Sequence, residues 1–181
     1  MNRHIVLLRG INLGPRKRVA MPELRAVLTE AGFGGVRTYV QSGNIVLSSN
    51  RSAAEVAAEC KRRITEHFGF TVDVVARTRD ELAEVVRRNP LAEVAVDPKR
   101  YQVTFLASEL EPSAAAKLAA VDAAPEQVVL VGRELYSWHP EGVGRSKLWA
   151  RLASDRWLGV TATARNWTTV STLLTIADEE G

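Results

Sequence analysis

The stretch Ile5-Val6-Leu7-Leu8-Arg9-Gly10-Ile11-Asn12-Leu13-Gly14-Pro15-Arg16-Lys17-Arg18 decides the fold and locates the first candidate site. Its first four residues are all apolar, which is typical of a strand buried on both faces. Gly10 then breaks the strand, and the stretch carries four cations, Arg9 and Arg16–Arg18, before the first acidic residue, Glu23. The stretch therefore predicts a central strand followed by a basic loop.

Hydrophobic spacing predicts the order β-α-β-β-α-β for the first half of the chain, followed by one more helix. Ser52 with Glu55, and Thr78 with Glu81, have the spacing of capping boxes at two helix starts. The predicted elements are a strand at 5–8, a helix at 21–31, a hairpin of strands at 36–40 and 44–48, a helix at 52–68, a strand at 71–75, and a helix that begins at Thr78 and stops before Asn89-Pro90.

The same order repeats after residue 100. The predicted elements are a strand at 101–106, a helix at 113–121, a hairpin of strands at 127–131 and 135–138, a helix at 146–152, a strand at 160–164, and a last helix lined by Val170, Leu173, Leu174 and Ala177. Val75-Ala76-Arg77-Thr78 before one helix also parallels Thr163-Ala164-Arg165-Asn166 before the other. We therefore predict an α+β fold of two ferredoxin-like βαββαβ units, each followed by an extra helix. The predicted division is a first unit at 1–90 with the basic N-terminal loop, a linker at 91–100 and a second unit at 101–181.

The two central strands of the first unit are predicted to be wholly apolar, at Ile5–Leu8 and Ile45–Leu47. RNA binding through an RRM-like sheet needs exposed aromatic side chains on those strands, so this mode of nucleic-acid binding is disfavoured. The open face of the sheet is instead expected to be covered by the extra helix, the other half or a partner chain, and a homodimer is one possibility.

The predicted topology gathers two polar clusters at the ends of the sheets. In the ferredoxin-like strand order 4-1-3-2, the end of the first strand lies beside the loop between the second and third strands. The first cluster then consists of Arg9, Asn12, Arg16, Lys17, Gln41, Ser42 and Asn44. In the second half, the helix start and the end of the last strand share one edge, which gathers Ser146, Lys147, Arg165 and Asn166.

These residue types suit recognition of anions. Arginine offers a planar fork of donors, and glycines let backbone N–H groups approach a ligand. Structural roles remain open for the same residues, because Gly10, Gly14 and Gly43 suit turns and Ser146 suits a helix N-cap.

Several chemistries are disfavoured by the sequence. His4, His67 and His139 fall on unrelated elements and Cys60 is the single cysteine, so we expect no metal site and no cofactor. Gly144–Lys147 does not have the order of a Walker A motif, and Ser42 lacks both the nucleophile-elbow pattern and an evident base. With neither a hydrophobic leader nor an apolar run of about 20 residues, we expect a cytoplasmic protein without a membrane segment.

Charge is spread unevenly over the chain. The net charge is +3, but residues 1–90 hold fifteen Lys/Arg against nine Asp/Glu, whereas residues 91–181 hold nine against twelve. A basic half favours an anionic partner.

Four ordered motifs resemble a known family. Leu-Leu-Arg-Gly-Ile-Asn-Leu-Gly (7–14), Tyr-Val-Gln-Ser-Gly-Asn-Ile-Val (39–46), Gly-Arg-Ser-Lys-Leu (144–148) and Arg-Asn-Trp-Thr-Thr-Val (165–170) are similar to the hallmarks of bacterial domain-of-unknown-function family 1697. The resemblance covers nearly the whole chain and implies a cytoplasmic α+β protein of paired ferredoxin-like units. It implies no activity.

Three functions follow as hypotheses. The first is binding of a small anionic ligand, such as a nucleotide or phosphate-bearing metabolite, or of an exposed nucleic-acid segment, at these loops. The second is an enzyme that acts on a phosphorylated or carboxylate substrate at the same loops, although the motifs contain no histidine or carboxylate to act as a base. The third is a protein-interaction or dimerisation module.

Overall fold

The structure is a computed structural model, and it describes residues 1–179. The elements in chain order are β1 (Asn2–Leu8), α1 (Met21–Glu30), β2 (Gly34–Tyr39), β3 (Asn44–Ser49), α2 (Ala53–Phe68), β4 (Val74–Thr78), α3 (Arg79–Arg88), β5 (Tyr101–Leu106), α4 (Pro112–Ala119), β6 (Gln127–Val131), β7 (Glu134–Trp138), α5 (Lys147–Leu152), α6 (Asp155–Leu158), β8 (Ala162–Asn166) and α7 (Trp167–Asp178).

The strands form two four-stranded sheets, ordered β2-β3-β1-β4 and β6-β7-β5-β8. All neighbouring strands are antiparallel. This is the ferredoxin-like order twice over, and the predicted α+β fold is confirmed. The apolar runs at Ile5–Leu8 and Ile45–Leu47 lie on the two central strands of the first sheet, as their composition predicts.

Two strands begin later than the sequence pattern suggests. β4 starts at Val74 and β8 at Ala162, because pairing with the central strands sets their register: Val74 lies opposite Leu8, and Ala162 lies opposite Leu106. Each strand therefore runs directly into the helix that follows it.

The residue at each of these junctions also caps a helix. Thr78 Oγ1 accepts a hydrogen bond from the Glu81 backbone N–H at 3.1 Å, and Asn166 Oδ1 accepts one from Thr169 N–H at 2.9 Å. The helix predicted at 146–152 is followed by a separate short helix, α6, because Ser154 caps a new turn by accepting from Trp157 N–H.

The chain folds into two compact units. The first consists of Met1–Glu84 together with the segment from Thr172 onwards, and the second is Val85–Ser171. In the first unit, a hydrophobic core lies between the sheet and helices α1 and α2, and its members include Val6, Leu8, Leu24, Val56 and Ile64.

Both faces of β1 are buried, since Ile5 and Leu7 on the other face are each 1 % exposed. On that face the Arg3 guanidinium donates to the carbonyl oxygen of Ala177 in α7 at 3.5 Å. Within residues 1–179, no helix has both the length and the apolar character that crossing a bilayer requires.

Candidate functional site

Asn12 is the clamp of the first cluster. Its side-chain amide donates to the carbonyl oxygens of Val19 at 2.9 Å and Gln41 at 2.8 Å, while its Oδ1 accepts from Val19 N–H at 2.9 Å. Its backbone N–H donates to Lys17 O at 3.1 Å. We call the segment Asn12–Val19 the basic loop. These bonds close it on itself and fix it to the turn between β2 and β3.

The same turn also packs directly against the end of β1. Leu8 N–H donates to Gly43 O at 2.9 Å, and a Cβ at Gly43 would lie 2.6 Å from the Leu8 Cβ. Asn44 secures the turn from within, because its amide donates to Tyr39 O at 3.1 Å and to Ser42 Oγ at 2.9 Å. The structure thus brings together the two segments that the strand order predicts to be neighbours.

The cations of this cluster differ in their surroundings. Arg9 is half-buried, and its backbone N–H donates to Asp73 O at 3.0 Å. Arg16, Lys17 and Arg18 are exposed. None of these three side chains forms a hydrogen bond or ion pair with any of the described residues.

Ser146 organises the second cluster together with two residues that the motifs do not contain. Its Oγ donates to Glu126 Oε2 at 2.6 Å and accepts from Trp149 N–H at 2.9 Å, so it is the N-cap of α5. Glu126 Oε2 also accepts a hydrogen bond from Nδ1 of His139, a fully buried side chain. His139 Nε2 lies 2.8 Å from Ser137 Oγ.

Serine, histidine and glutamate together suggest a catalytic triad, but their contacts indicate a structural role. We call Glu126, His139 and Ser146 the hub. In a triad the serine and the carboxylate occupy opposite ring nitrogens, so that the histidine can take a proton from one while the other orients it. Ser146 Oγ lies 3.3 Å from His139 Nδ1, the nitrogen that already donates to Glu126. Ser137 does lie at the opposite nitrogen, Nε2, but both Ser137 and His139 are fully buried, so this serine is not accessible to a substrate. The carboxylate of Glu126, rather than the imidazole, accepts the hydrogen bond from the Ser146 hydroxyl.

A cavity of about 510 Å³ adjoins this hub and is lined by Pro125, Glu126, Pro140, Glu141, Gly142, Gly144, Arg145 and Ser146. Its lining carries two carboxylates against one guanidinium. This balance suits a purely anionic ligand less well than the unopposed cations of the basic loop do.

The remaining residues of the second cluster are used differently. Lys147 is exposed. The Arg165 guanidinium donates to Thr163 Oγ1 and to Ala164 O, both at 2.8 Å, and its burial lowers its pKa to about 10. Asn166 caps α7. Within residues 1–179, Ser146 and Lys147 form no hydrogen bond with Arg165 or Asn166.

Sequence reasoning missed Glu126 and His139, although the hairpin contained the signal. Gln127 pairs with Trp138 in the β6–β7 ladder, so the residues just outside this pair, Glu126 and His139, are brought next to each other.

Among residues 1–179 no group of three or more His, Cys, Asp or Glu side chains is placed to hold a metal ion. Burial raises the pKa of the Cys60 thiol to about 12.

Comparison with known proteins gives a family and a fold. The family described as "Protein of unknown function (DUF1697)" matches residues 1–136, which confirms the predicted family. The motifs at 7–14 and 39–46 lie within the matched residues, whereas those at 144–148 and 165–170 lie outside them. A conserved bacterial protein from Streptococcus pneumoniae, SP0830, superposes with a TM-score of 0.81 at 22% identity, over 98% of this chain and 99% of that one. No significant match occurs among the curated proteins.

Proposed function

Because the chain belongs to DUF1697, a family of proteins of unknown function, no activity comes with its family, and we propose that it binds a small anionic, phosphate-bearing ligand at the basic loop. One observation carries the proposal. The Asn12 clamp gives the loop a fixed shape, and the cations within it have no acidic partner among residues 1–179.

Fixed geometry matters because an exposed cation on a mobile loop must lose conformational freedom when it binds. A loop ordered beforehand loses less, so more of the electrostatic attraction contributes to affinity. Asn12 and Lys17 both have positive φ values, of 54° and 53°. Such values are uncommon for residues other than glycine and persist where the surrounding structure enforces them.

The residues of the first cluster receive different roles in this proposal. Arg16 and Lys17 supply charge, with Arg9 at the base of the loop. Asn12 and Asn44 hold the backbone in place, since their amides donate to carbonyl groups and to Ser42. Gln41 and Ser42, at the exposed turn, are the polar groups we assign to ligand orientation. Ligand contact by Ser146, Lys147, Arg165 or Asn166 stays a prediction.

The test is calorimetric titration with adenosine triphosphate and with a sugar bisphosphate. The variant Arg16→Gln/Lys17→Asn removes two charges and keeps a residue tolerant of positive φ at position 17. The control Lys99→Gln/Arg156→Gln removes two exposed charges elsewhere. We expect binding by the wild type and the control, and affinity about tenfold lower in the loop variant, a difference of about 1.4 kcal/mol.

Equal affinity in all three proteins, or no binding of either probe, would contradict the proposal. Release of phosphate from the bound probe would instead favour the enzyme hypothesis. Tight binding of a short oligonucleotide that weakens steeply with salt would favour nucleic acid. A dimer mass in light scattering, with no ligand bound, would favour the interaction module.

A further inference from the structure

Two aliphatic side chains lie exposed where the basic loop meets the β2–β3 turn. Leu13 is 84% exposed and Val40 is 52% exposed. Leu13 follows Asn12, Val40 precedes Gln41, and the Asn12 amide donates to the Gln41 carbonyl oxygen at 2.8 Å. One hydrogen bond therefore ties together the two backbones that display these side chains. We call Leu13, Val40 and the three cations Arg16–Arg18 the loop surface.

The backbone of the turn is strained at Val40, whose side chain is exposed. Its φ of 51° is in the left-handed region, where a β-branched residue is a true outlier. The neighbouring contacts enforce this conformation, because Gly43 packs against Leu8 and Asn44 binds Tyr39 O. Strain of this kind persists at sites where a fixed shape serves binding. A turn with glycine or asparagine at position 40 would form more easily and would present no aliphatic group.

The charged side chains of the basic loop all have one sign. Residues 1–22 contain no Asp or Glu, and the side chains of Arg16–Arg18 have no partner in the described part of the chain. The carboxylate of Asp73, whose backbone oxygen accepts from Arg9 N–H, pairs with Lys61 at 3.3 Å. An occupant that contacts the whole loop surface therefore carries both negative charge and an apolar group.

Polypeptide fits these requirements better than nucleic acid. Proteins that bind single strands without sequence preference stack bases on aromatic side chains, whereas the exposed side chains here are aliphatic. Protein interfaces combine apolar anchors at the centre with a polar and charged rim, in which arginine is enriched.

We propose that the loop surface is a preformed docking site for an acidic segment of a partner protein, with an apolar side chain of that segment packed against Leu13 and Val40. This inference rests on the proposed anion binding by the basic loop and names its partner: Asp or Glu side chains of the segment occupy the place of the phosphate groups. Complementary charge speeds association, and the two aliphatic groups add apolar burial that a small anion does not supply.

The experiment starts from a selection of random peptides displayed on phage against the wild-type protein. We expect enrichment of sequences in which Asp or Glu flanks a Leu, Ile or Phe. Affinities of the synthetic peptides are then measured for Leu13→Ser and for Arg16→Gln/Lys17→Asn, and both variants should bind about tenfold more weakly. The matched control is Val96→Ser, because Val96 is 82% exposed but lies in the other unit.

A second variant separates binding from folding. Val40→Asn removes the aliphatic group and places a residue there that tolerates positive φ. We expect a melting temperature no lower than that of the wild type, together with weaker peptide binding. Peptides that bind Leu13→Ser and Val40→Asn as tightly as the wild type, or a selection without acidic enrichment, would overturn the inference.

The outcomes also distinguish this inference from the proposed function. If adenosine triphosphate binds through Arg16 and Lys17 but no acidic peptide is enriched, the anion site stands and the docking site fails. If neither binds, both fail. An oligonucleotide that competes with the peptides, and whose binding ignores Leu13→Ser, would assign the surface to nucleic acid instead.

Discussion

At the scale of single residues, Gly43 controls how closely the turn after β2 approaches β1. A Cβ there would lie 2.6 Å from the Leu8 Cβ, and its φ is 83°. Gly142 has almost the same φ, 82°, with nothing within 4 Å of its Cβ position. We therefore expect Gly43→Ala to lower the free energy of unfolding by about 3 kcal/mol or more, and Gly142→Ala by about 1 to 2 kcal/mol.

Urea denaturation of both variants measures this difference. Because the φ values are matched, the excess loss in Gly43→Ala reports the close contacts of the added Cβ with Leu8 and Ile11. Equal losses would show that the end of β1 moves away from the turn at little cost, and the fixed geometry assigned to the first cluster would then be wrong.

Two buried histidines give a second comparison. His4 on β1 is 1 % exposed, and neither ring nitrogen has a hydrogen-bond partner in the described chain. His139 is equally buried, but Glu126 and Ser137 satisfy both of its nitrogens. Burial of an unsatisfied polar group costs free energy, so His4→Leu should raise the free energy of unfolding by about 1 kcal/mol.

His139→Leu should act in the opposite direction and lower that free energy by about 1 to 3 kcal/mol, because it removes one hydrogen-bond partner from each of Glu126 and Ser137. Thermal unfolding of both variants, followed by circular dichroism, is sufficient. If His4→Leu were as destabilising as His139→Leu, the His4 ring would have a role in packing that outweighs its unsatisfied nitrogens.

At the scale of elements, α2 carries an ion-pair network that predicts a pH dependence. Glu59 accepts hydrogen bonds from Arg62 at 2.7 Å and Arg63 at 2.8 Å. These two hydrogen bonds, of which the one from Arg62 has the larger effect, lower the pKa of the Glu59 carboxyl from 4.5 to about 2. A carboxyl with a lower pKa in the folded state stabilises fully above its unfolded pKa, and this contribution is lost as the pH falls through the folded value.

Free energy of unfolding should therefore decrease as the pH falls from about 4.5 towards 2, and the decrease should be smaller in Glu59→Gln. Urea denaturation at several pH values in this window measures the slope. Glu30→Gln is the control, because Glu30 is exposed and pairs with no described residue. An unchanged slope in Glu59→Gln would show that the pKa of Glu59 is the same in the folded and the unfolded chain, which would contradict the prediction.

The sequence predicts helices and strands where the hydrophobic periodicity is strong. It does not predict the ends of strands where pairing with a neighbouring strand determines them. The apolar runs located β1 and β3, and the strand order that followed brought Asn12 to Gln41. The start of β4 depends on the register with β1, which no local pattern encodes. Glu126 and His139 were missed for the same reason, since their proximity comes from the ladder of β6 and β7 rather than from a motif.

At the scale of the whole molecule, the duplicated fold does not divide at one point of the chain. In the folded chain, the segment from Thr172 onwards groups with Met1–Glu84. The division of the sequence into 1–90, a linker at 91–100 and 101–181 stays a prediction. At the end of α7, Asp178 accepts a hydrogen bond from Arg79 at 2.6 Å, and the next residue, Glu179, pairs with Arg37 at 2.5 Å. Helical periodicity defines α7 but carries no information on which sheet its last turns contact.

Leu173 tests this assignment, because it is 1 % exposed and lies in the part of α7 that belongs to the first unit. Leu173→Ala should lower the free energy of unfolding by about 2 to 5 kcal/mol and should speed hydrogen exchange of the β1 amides. Leu118→Ala, at a core position of the second unit, should instead speed exchange in β5. If Leu173→Ala speeds exchange in β5 and leaves β1 protected, the end of α7 unfolds with the second unit. In that case the cooperative units would follow the predicted division at 91–100, and the end of α7 would not unfold with the first unit.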